Sequence, residues 1–122
     1  MNPATIYEFT DYRLYLKEYM QSKKNENKSF SYRNFTLRAG LTTSNYVQKV
    51  INNERSLGPK TTEQFIKGLG LKKKEAEYFR KIVELDKSNT IERKASIISD
   101  LAKLKKSDSP LKMNVENEFY NH

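Results

Sequence analysis

In the stretch Gly40 to Phe65, GLTTSNYVQKVINNERSLGPKTTEQF, five polar residues fall where the outward turns of one short helix are expected: Thr43, Ser44, Asn45, Gln48 and Lys49. A carboxamide carries a donor beside an acceptor, which is what adenine N6 and N7 require, and a lysine ammonium can reach guanine O6 and N7. Asn45 or Gln48 therefore suits adenine and Lys49 suits guanine, each good bidentate pair discriminating by about 1 to 3 kcal/mol. These five are candidate base-contacting residues. The alternative is a capped polar helix face that meets only water.

Base reading requires that helix to protrude, and the flanking residues suit this. Ser31 caps a preceding helix that carries Phe35 and Ala39 four residues apart, and Gly40 can adopt the left-handed conformation that ends it. Thr42 or Thr43 caps the next helix, capping being the expected role of Thr42, and its apolar stripe is Tyr46 or Val47 with Val50 and Ile51. Two short helices joined by about three or four residues that include glycine fit the helix-turn-helix pattern. In that geometry the start of the first helix and the loop after the second grip phosphates. Ser31, Tyr32 and Arg33 are the first candidates for phosphate contact, and Arg55 and Lys60 the second. From Lys23 to Arg55 seven cations (Lys23, Lys24, Lys28, Arg33, Arg38, Lys49, Arg55) stand against Glu26 and Glu54, so most of the net charge of +8 lies beside the motif.

The remaining elements must hold this pair. A first helix is predicted from Thr10 or Asp11 to about Lys23, with Tyr12, Tyr15, Leu16, Tyr19 and Met20 on one face, followed by an exposed basic loop to Ser29. Pro59 suits the first position of a fourth helix that buries Phe65, Ile66 and Leu69 and stops at Gly70. A fifth runs from Lys72 to Asp86 with Ala76, Phe79, Ile82 and Val83 at core spacing, flanked by Tyr78 and Leu85. Thr90 can cap a sixth, whose stripe Ile91, Ala95, Ile98, Leu101 and Ala102 is widened by Ile97 and Leu104. The fold class is thus all-α, a compact five- to six-helix bundle containing the helix-turn-helix. Residues 1–86 form the DNA-reading domain, 90–106 an additional helix for packing or dimerisation, and 107–122 a flexible tail. A homodimer would form through Ile91, Ala95, Ile98 and Leu101.

Composition removes several classes of function. The 122 residues include no cysteine and one histidine, His122, which leaves no disulfide, thiolate chemistry or His/Cys metal cage. Its four glycines form neither GxGxxG nor GxxxxGK[ST], and no nucleophile–base pair or paired carboxylates in a cleft are visible. Neither catalysis nor a cofactor is expected. The start lacks a secretory signal and no run is long enough to span a bilayer, so a soluble, cytoplasmic chain without membrane partners is expected.

Residues Phe35 to Leu71 resemble the Cro/C1-type helix-turn-helix of phage repressors and the xenobiotic-response-element family of bacterial regulators. Ala39-Gly40-Leu41 is similar to that family's AGV turn, and FIKGLGL, Phe65 to Leu71, to its closing LAKALGV. A longer resemblance joins Phe9-Thr10-Asp11-Tyr12-Arg13, Phe30-Ser31-Tyr32-Arg33 and LKKKEAEYF, Leu71 to Phe79, to the N-terminal part of a bacterial family assigned to transcriptional regulation. Its members carry a C-terminal domain of unknown function, and Glu118 to His122 looks like the opening of that domain, which implies a fragment or a shortened relative. Two departures stand out: Asn53 occupies the usual glycine position after the recognition helix, and one extra residue lies between Gly40 and Val47. The resemblance implies sequence-specific binding of double-stranded DNA by a transcriptional regulator or its DNA-reading domain.

Two other readings remain open on sequence. A protein-interaction adaptor could keep the same scaffold and use the aliphatic sixth helix or the tyrosine-rich first one. The eight tyrosines could stack single-stranded bases, although Tyr12, Tyr15 and Tyr19 share a helical period with Leu16 and Met20, which favours core packing. Lys72-Lys73-Lys74 opens a helix, where cations oppose the dipole, and reads as a solvated run.

Overall fold

Short polar side chains start four of the helices and left-handed residues end three of them. The computed structural model describes residues 5–107. A single 3-10 turn, Ile6–Glu8, precedes α1 (Tyr12–Glu26), α2 (Tyr32–Ala39), α3 (Ser44–Ile51), α4 (Pro59–Leu69), α5 (Lys73–Lys87) and α6 (Ile91–Ser107). Asp11, Ser31 and Thr43 cap α1, α2 and α3 by accepting from the backbone N–H of Arg13, Asn34 and Asn45. Thr90 does the same for α6 through the Arg93 N–H at 3.1 Å. The fold is all-helical, with no strand among the described residues. No helix among them is long and apolar enough to cross a membrane.

Three helices close in one way. After α2, α3 and α4 the residues Gly40, Asn53 and Gly70 take φ values of 76°, 67° and 68°. Each is followed by an N–H that reaches back to the helix: Leu41 to the Thr36 carbonyl, Glu54 to Lys49 and Leu71 to Ile66. This double closure satisfies carbonyls that would otherwise be orphaned at a helix end.

One core joins all six helices. Tyr12, Tyr15, Leu16 and Met20 of α1 meet Phe35 and Ala39 of α2, Val47 and Val50 of α3, Phe65 and Leu69 of α4, and Phe79, Ile82 and Val83 of α5. The aromatic rings meet edge to face, Phe35 on Phe65 at 5.4 Å and Tyr12 on Phe79 at 6.2 Å, a geometry favoured by the ring quadrupoles. Burial pushes the phenols of Tyr12, Tyr15 and Tyr78 above the usual range, so the core stays uncharged. Tyr19 is half-buried between Phe30 and Phe35. The tyrosines of α1 therefore pack the interior and offer no stacking platform.

The α2–α4 contact is tight. A Cβ on Gly68 would lie 2.9 Å from both the Ala39 Cβ and the Phe35 ring, well inside van der Waals contact. Gly68 is what lets α4 lie against α2.

Several expectations needed revision. The helix α1 runs to Glu26 rather than about Lys23, and the following loop is drawn in because Lys24 Nζ donates to the carbonyls of Lys28 and Phe30. The turn Ile6–Glu8 has no counterpart in the sequence reading, yet Ile6 and Tyr7 are buried, and the buried Tyr78 hydroxyl donates to the Phe9 carbonyl at 2.8 Å. Leu101, assigned to a dimer surface, is buried in this chain's own core. Two stripes overlap on α6, and the bulkier one, Ile97, Leu101 and Leu104, turns inward while Asp100 pairs with Lys81 and Arg93 with Glu84. Ile97 and Leu101 of α6 join the core that starts at Ile6, Ser107 belongs to α6, and the rest of the assigned tail, 108–122, lies outside the described residues.

Two outcomes follow from this packing. Gly68→Ala gains up to about 1 kcal/mol of helix propensity but loses more to overpacking, about 1 to 3 kcal/mol, so its urea midpoint should fall. A midpoint at or above the wild-type value would mean that α2 and α4 separate without cost. Arg80 holds the Glu63 carboxyl below the usual range by hydrogen bonds across α4 and α5. The increment is therefore present above the unfolded carboxylate range and is lost as pH falls through the lowered value. Both side chains are about half exposed, so Arg80→Ala should cost less than about 1 kcal/mol near neutrality and still less in acid, measured by denaturation across pH.

Candidate nucleic-acid interface

The helix α3 divides cleanly. Val47 and Val50 are fully buried, Tyr46 and Ile51 are half-buried, and Asn45, Gln48 and Lys49 face solvent. This resolves the choice between Tyr46 and Val47 in favour of Val47 as the core residue. Tyr46 lies at the edge, its ring against Phe65 at 6.0 Å and its hydroxyl donating to the Ser56 carbonyl at 3.0 Å. Thr43, rather than Thr42, is the cap of α3, with its Oγ1 accepting from the Asn45 N–H at 3.2 Å. Ser44 is half-buried, so the freest donors and acceptors on the helix are those of Asn45, Gln48 and Lys49.

The phosphate candidates separate into two places. Lys60, at the start of α4, shares a 290 Å³ groove with Thr42, Thr43 and Gln64, beside the N-terminus of α3. Gln64 Nε2 donates to the Gly40 carbonyl at 2.9 Å, which ties α4 to the turn before α3. Ser31 and Tyr32 line a second groove with Lys17, Lys24, Met20 and Phe30. The Ser31 hydroxyl is occupied as the cap of α2, accepting from the Asn34 N–H and donating to Asn34 Oδ1. Arg33 next to it and Arg55 in the loop after α3 are both exposed.

The residues of the ion pairs lie outside α2 and α3, while exposed cations occur both there and elsewhere, Lys17, Lys67, Lys87, Lys94 and Lys103 among them. The ion pairs Arg13–Asp86, Arg80–Glu63, Lys81–Glu84, Lys81–Asp100 and Arg93–Glu84 all involve α1, α4, α5 or α6. Among the described residues none of these pairs uses Arg33, Arg38, Lys49, Arg55 or Lys60. Those five cations are exposed around α2 and α3, and Glu54 is the one exposed carboxylate between Ser31 and Lys60. The run Lys72–Lys74 is also exposed, and the Lys72 N–H is closed by Glu75 at 2.8 Å, which offsets the unfavourable helix dipole. Among the described residues no cluster of three or more His, Cys, Asp or Glu side chains is placed to hold a metal ion.

One residue essential to this geometry carries no local sequence signal. Arg13, on α1, donates Nε to the Val50 carbonyl at 2.9 Å, one Nη to the Arg55 carbonyl at 3.1 Å and the other to Asp86 at 3.1 Å. Its side chain is only 11% exposed. The partners lie far along the chain, so helical periodicity around position 13 cannot reveal them.

Comparison with protein-family models, curated proteins and solved structures finds no match for the chain.

Asn53 closes α3 at φ 67°, a conformation that asparagine and glycine tolerate and β-branched residues do not. Asn53→Gly should leave stability unchanged or raise it slightly, whereas Asn53→Val should lose about 1 to 2 kcal/mol. Urea titration checks both, and equal stability of the two variants would refute a left-handed closure.

Proposed function

We propose that the chain is a sequence-specific binder of double-stranded DNA, acting in the bacterial cytoplasm as a transcriptional regulator or as its DNA-reading domain. In this reading α2 and α3 are a Cro/C1-type helix-turn-helix, with α3 as the recognition helix. The observation that carries it is the outward Asn45–Gln48–Lys49 face of α3 set among exposed cations that no described carboxylate neutralises. Carboxamides read base edges, and unneutralised cations release counterions from phosphates. Asn45, Gln48 and Lys49 take the base-reading role, supported by Ser44, with Thr43 at the boundary as cap. Arg33, Arg55 and Lys60 take the phosphates together with the α2 start at Ser31 and Tyr32.

A second contact surface has its own support. Ile91 and Ile98 are 83% and 52% exposed, and Ala95 lies between them on the same face of α6. This face suits a second copy of the chain, or a protein partner if the scaffold serves as an adaptor. A dimer would engage half-sites about 34 Å apart, one duplex turn. Leu101 takes no part, being buried.

Selection from a random duplex pool near physiological salt should enrich one motif, with affinity falling at a log-log slope of about −0.9 per phosphate neutralised. Gln48→Ala should relax preference at one position by about 1 to 3 kcal/mol. Arg33→Ala should weaken all duplexes alike and reduce the salt slope by about 1. No enrichment, or identical effects of the two variants on every duplex, would sink the assignment. An adaptor would instead bind its partner with little dependence on salt.

A further inference from the structure

We infer that Arg13 is a positioning residue for duplex recognition: it fixes the C-terminal end of α3 and the loop 52–57 in one conformation, and sequence discrimination depends on that fixity. This rests on the DNA-binding reading given above. The loop follows α3 directly and carries Arg55.

The geometry is unusually over-determined for an exposed loop. Its first amides fold back on α3, Asn53 to the Val50 carbonyl at 3.1 Å, and Glu54 and Arg55 both to the Lys49 carbonyl at 2.7 and 3.2 Å. The Val50 carbonyl then accepts a second bond, from Arg13 Nε at 2.9 Å. A guanidinium at that point meets the negative end of the helix dipole and uses the remaining lone pair of the helix-end carbonyl. The same side chain holds the Arg55 carbonyl, and Tyr46 holds the next one, that of Ser56. Leu57 then plugs fully into the core. Two consecutive loop carbonyls are therefore held by side chains from two different helices.

The remaining contacts orient Arg13 itself. Asp86, at the end of α5, takes one Nη at 3.1 Å, and the guanidinium lies over the Tyr12 ring at 4.6 Å from its centroid. A planar fork is needed to satisfy three acceptors in three directions. Arg13 serves its three acceptors from three separate nitrogens of one rigid plane, whereas a lysine keeps the charge but offers a single Nζ on a flexible stem and cannot reproduce that fork. In a duplex complex the base-reading residues of α3 and the phosphate-contacting Arg55 must meet the DNA at once. Freedom between them lowers discrimination without removing any contact group.

The test compares wild type with Arg13→Lys, and with Tyr46→Phe, which deletes one hydroxyl and keeps the ring packing. Amide exchange is read at 53–55 in the free protein, alongside the affinity ratio between the selected duplex and a scrambled one. For Arg13→Lys, exchange at Asn53, Glu54 and Arg55 should rise about tenfold or more, as expected for losing charge-assisted hydrogen bonds, while core amides of α5 stay protected. The affinity ratio should fall by about tenfold, with scrambled-duplex affinity within about twofold. Tyr46→Phe should move both readouts the same way but less. Exchange that rises uniformly, as in simple destabilisation, or an unchanged ratio with a loosened loop, would overturn the inference. A wild-type chain that discriminates no duplex would defeat the DNA-binding reading itself, and the exchange arm alone would then decide whether Arg13 holds the loop.

Discussion

An eight-residue helix has no stability of its own in water, so α3 exists only because its surroundings hold it. Val47 and Val50 supply its hydrophobic attachment, fully buried against the core. The Thr43 cap closes its start and the Asn53 turn closes its end. Arg13 then fastens that end to α1 and, through Asp86, to α5. Asn45, Gln48 and Lys49 can therefore stay outside, since none of these three side chains is required for holding the helix in place. That division of labour is the constraint the remaining structure serves.

The rest of the bundle can be understood as the frame for that attachment. Phe35 and Phe65 meet edge to face between α2 and α4, and Gly68 allows those helices to approach until Ala39 and the Phe35 ring nearly touch the α4 backbone. Gln64 bonds from the same helix to the turn carbonyl of Gly40. The takeoff of α3 is therefore set by rigid packing on one side and by Arg13 on the other. The last two helices thicken the core under α1 through Ile82, Val83, Ile97 and Leu101 and place Asp86 where Arg13 can use it.

Local rules made much of this legible in the sequence. Ser31, Gly40, Pro59, Gly70 and Thr90 each act through backbone chemistry a few residues away, so their roles follow from type and spacing, while Asn53 was marked by the resemblance. What escaped was non-local. The inward face of α6 depended on a choice between two overlapping stripes, decided by α5 through Lys81 and Glu84. The turn Ile6–Glu8 is too short to have a period, and only the Tyr78 hydroxyl, seventy residues on, shows why its end is fixed. Arg13 entered only as part of the resembling stretch Phe9 to Arg13, with no role attached, because its three acceptors lie on α3, the loop and α5. The outward placement of Asn45, Gln48 and Lys49 was legible because Val47 and Val50 leave the short helix only one way to turn.

In the DNA-binding reading, the cations around α2 and α3 have a role beyond solubility. Charge that serves solubility works anywhere on a surface and is best with both signs interspersed. Here the carboxylates Glu63, Glu84, Asp86 and Asp100 are consumed in pairs that tie α1, α4, α5 and α6 together. Arg33, Arg38, Lys49, Arg55 and Lys60 are left exposed within one stretch of about thirty residues, with Glu54 as the exposed carboxylate among them. Like charges repel over a screening length of about 8 Å at physiological salt, and in the DNA-binding reading proposed above a phosphate backbone would relieve such repulsion on contact. An apolar protein partner laid over these cations would have to desolvate them without neutralising them, so the exposed isoleucines of α6 are the better place for such a partner.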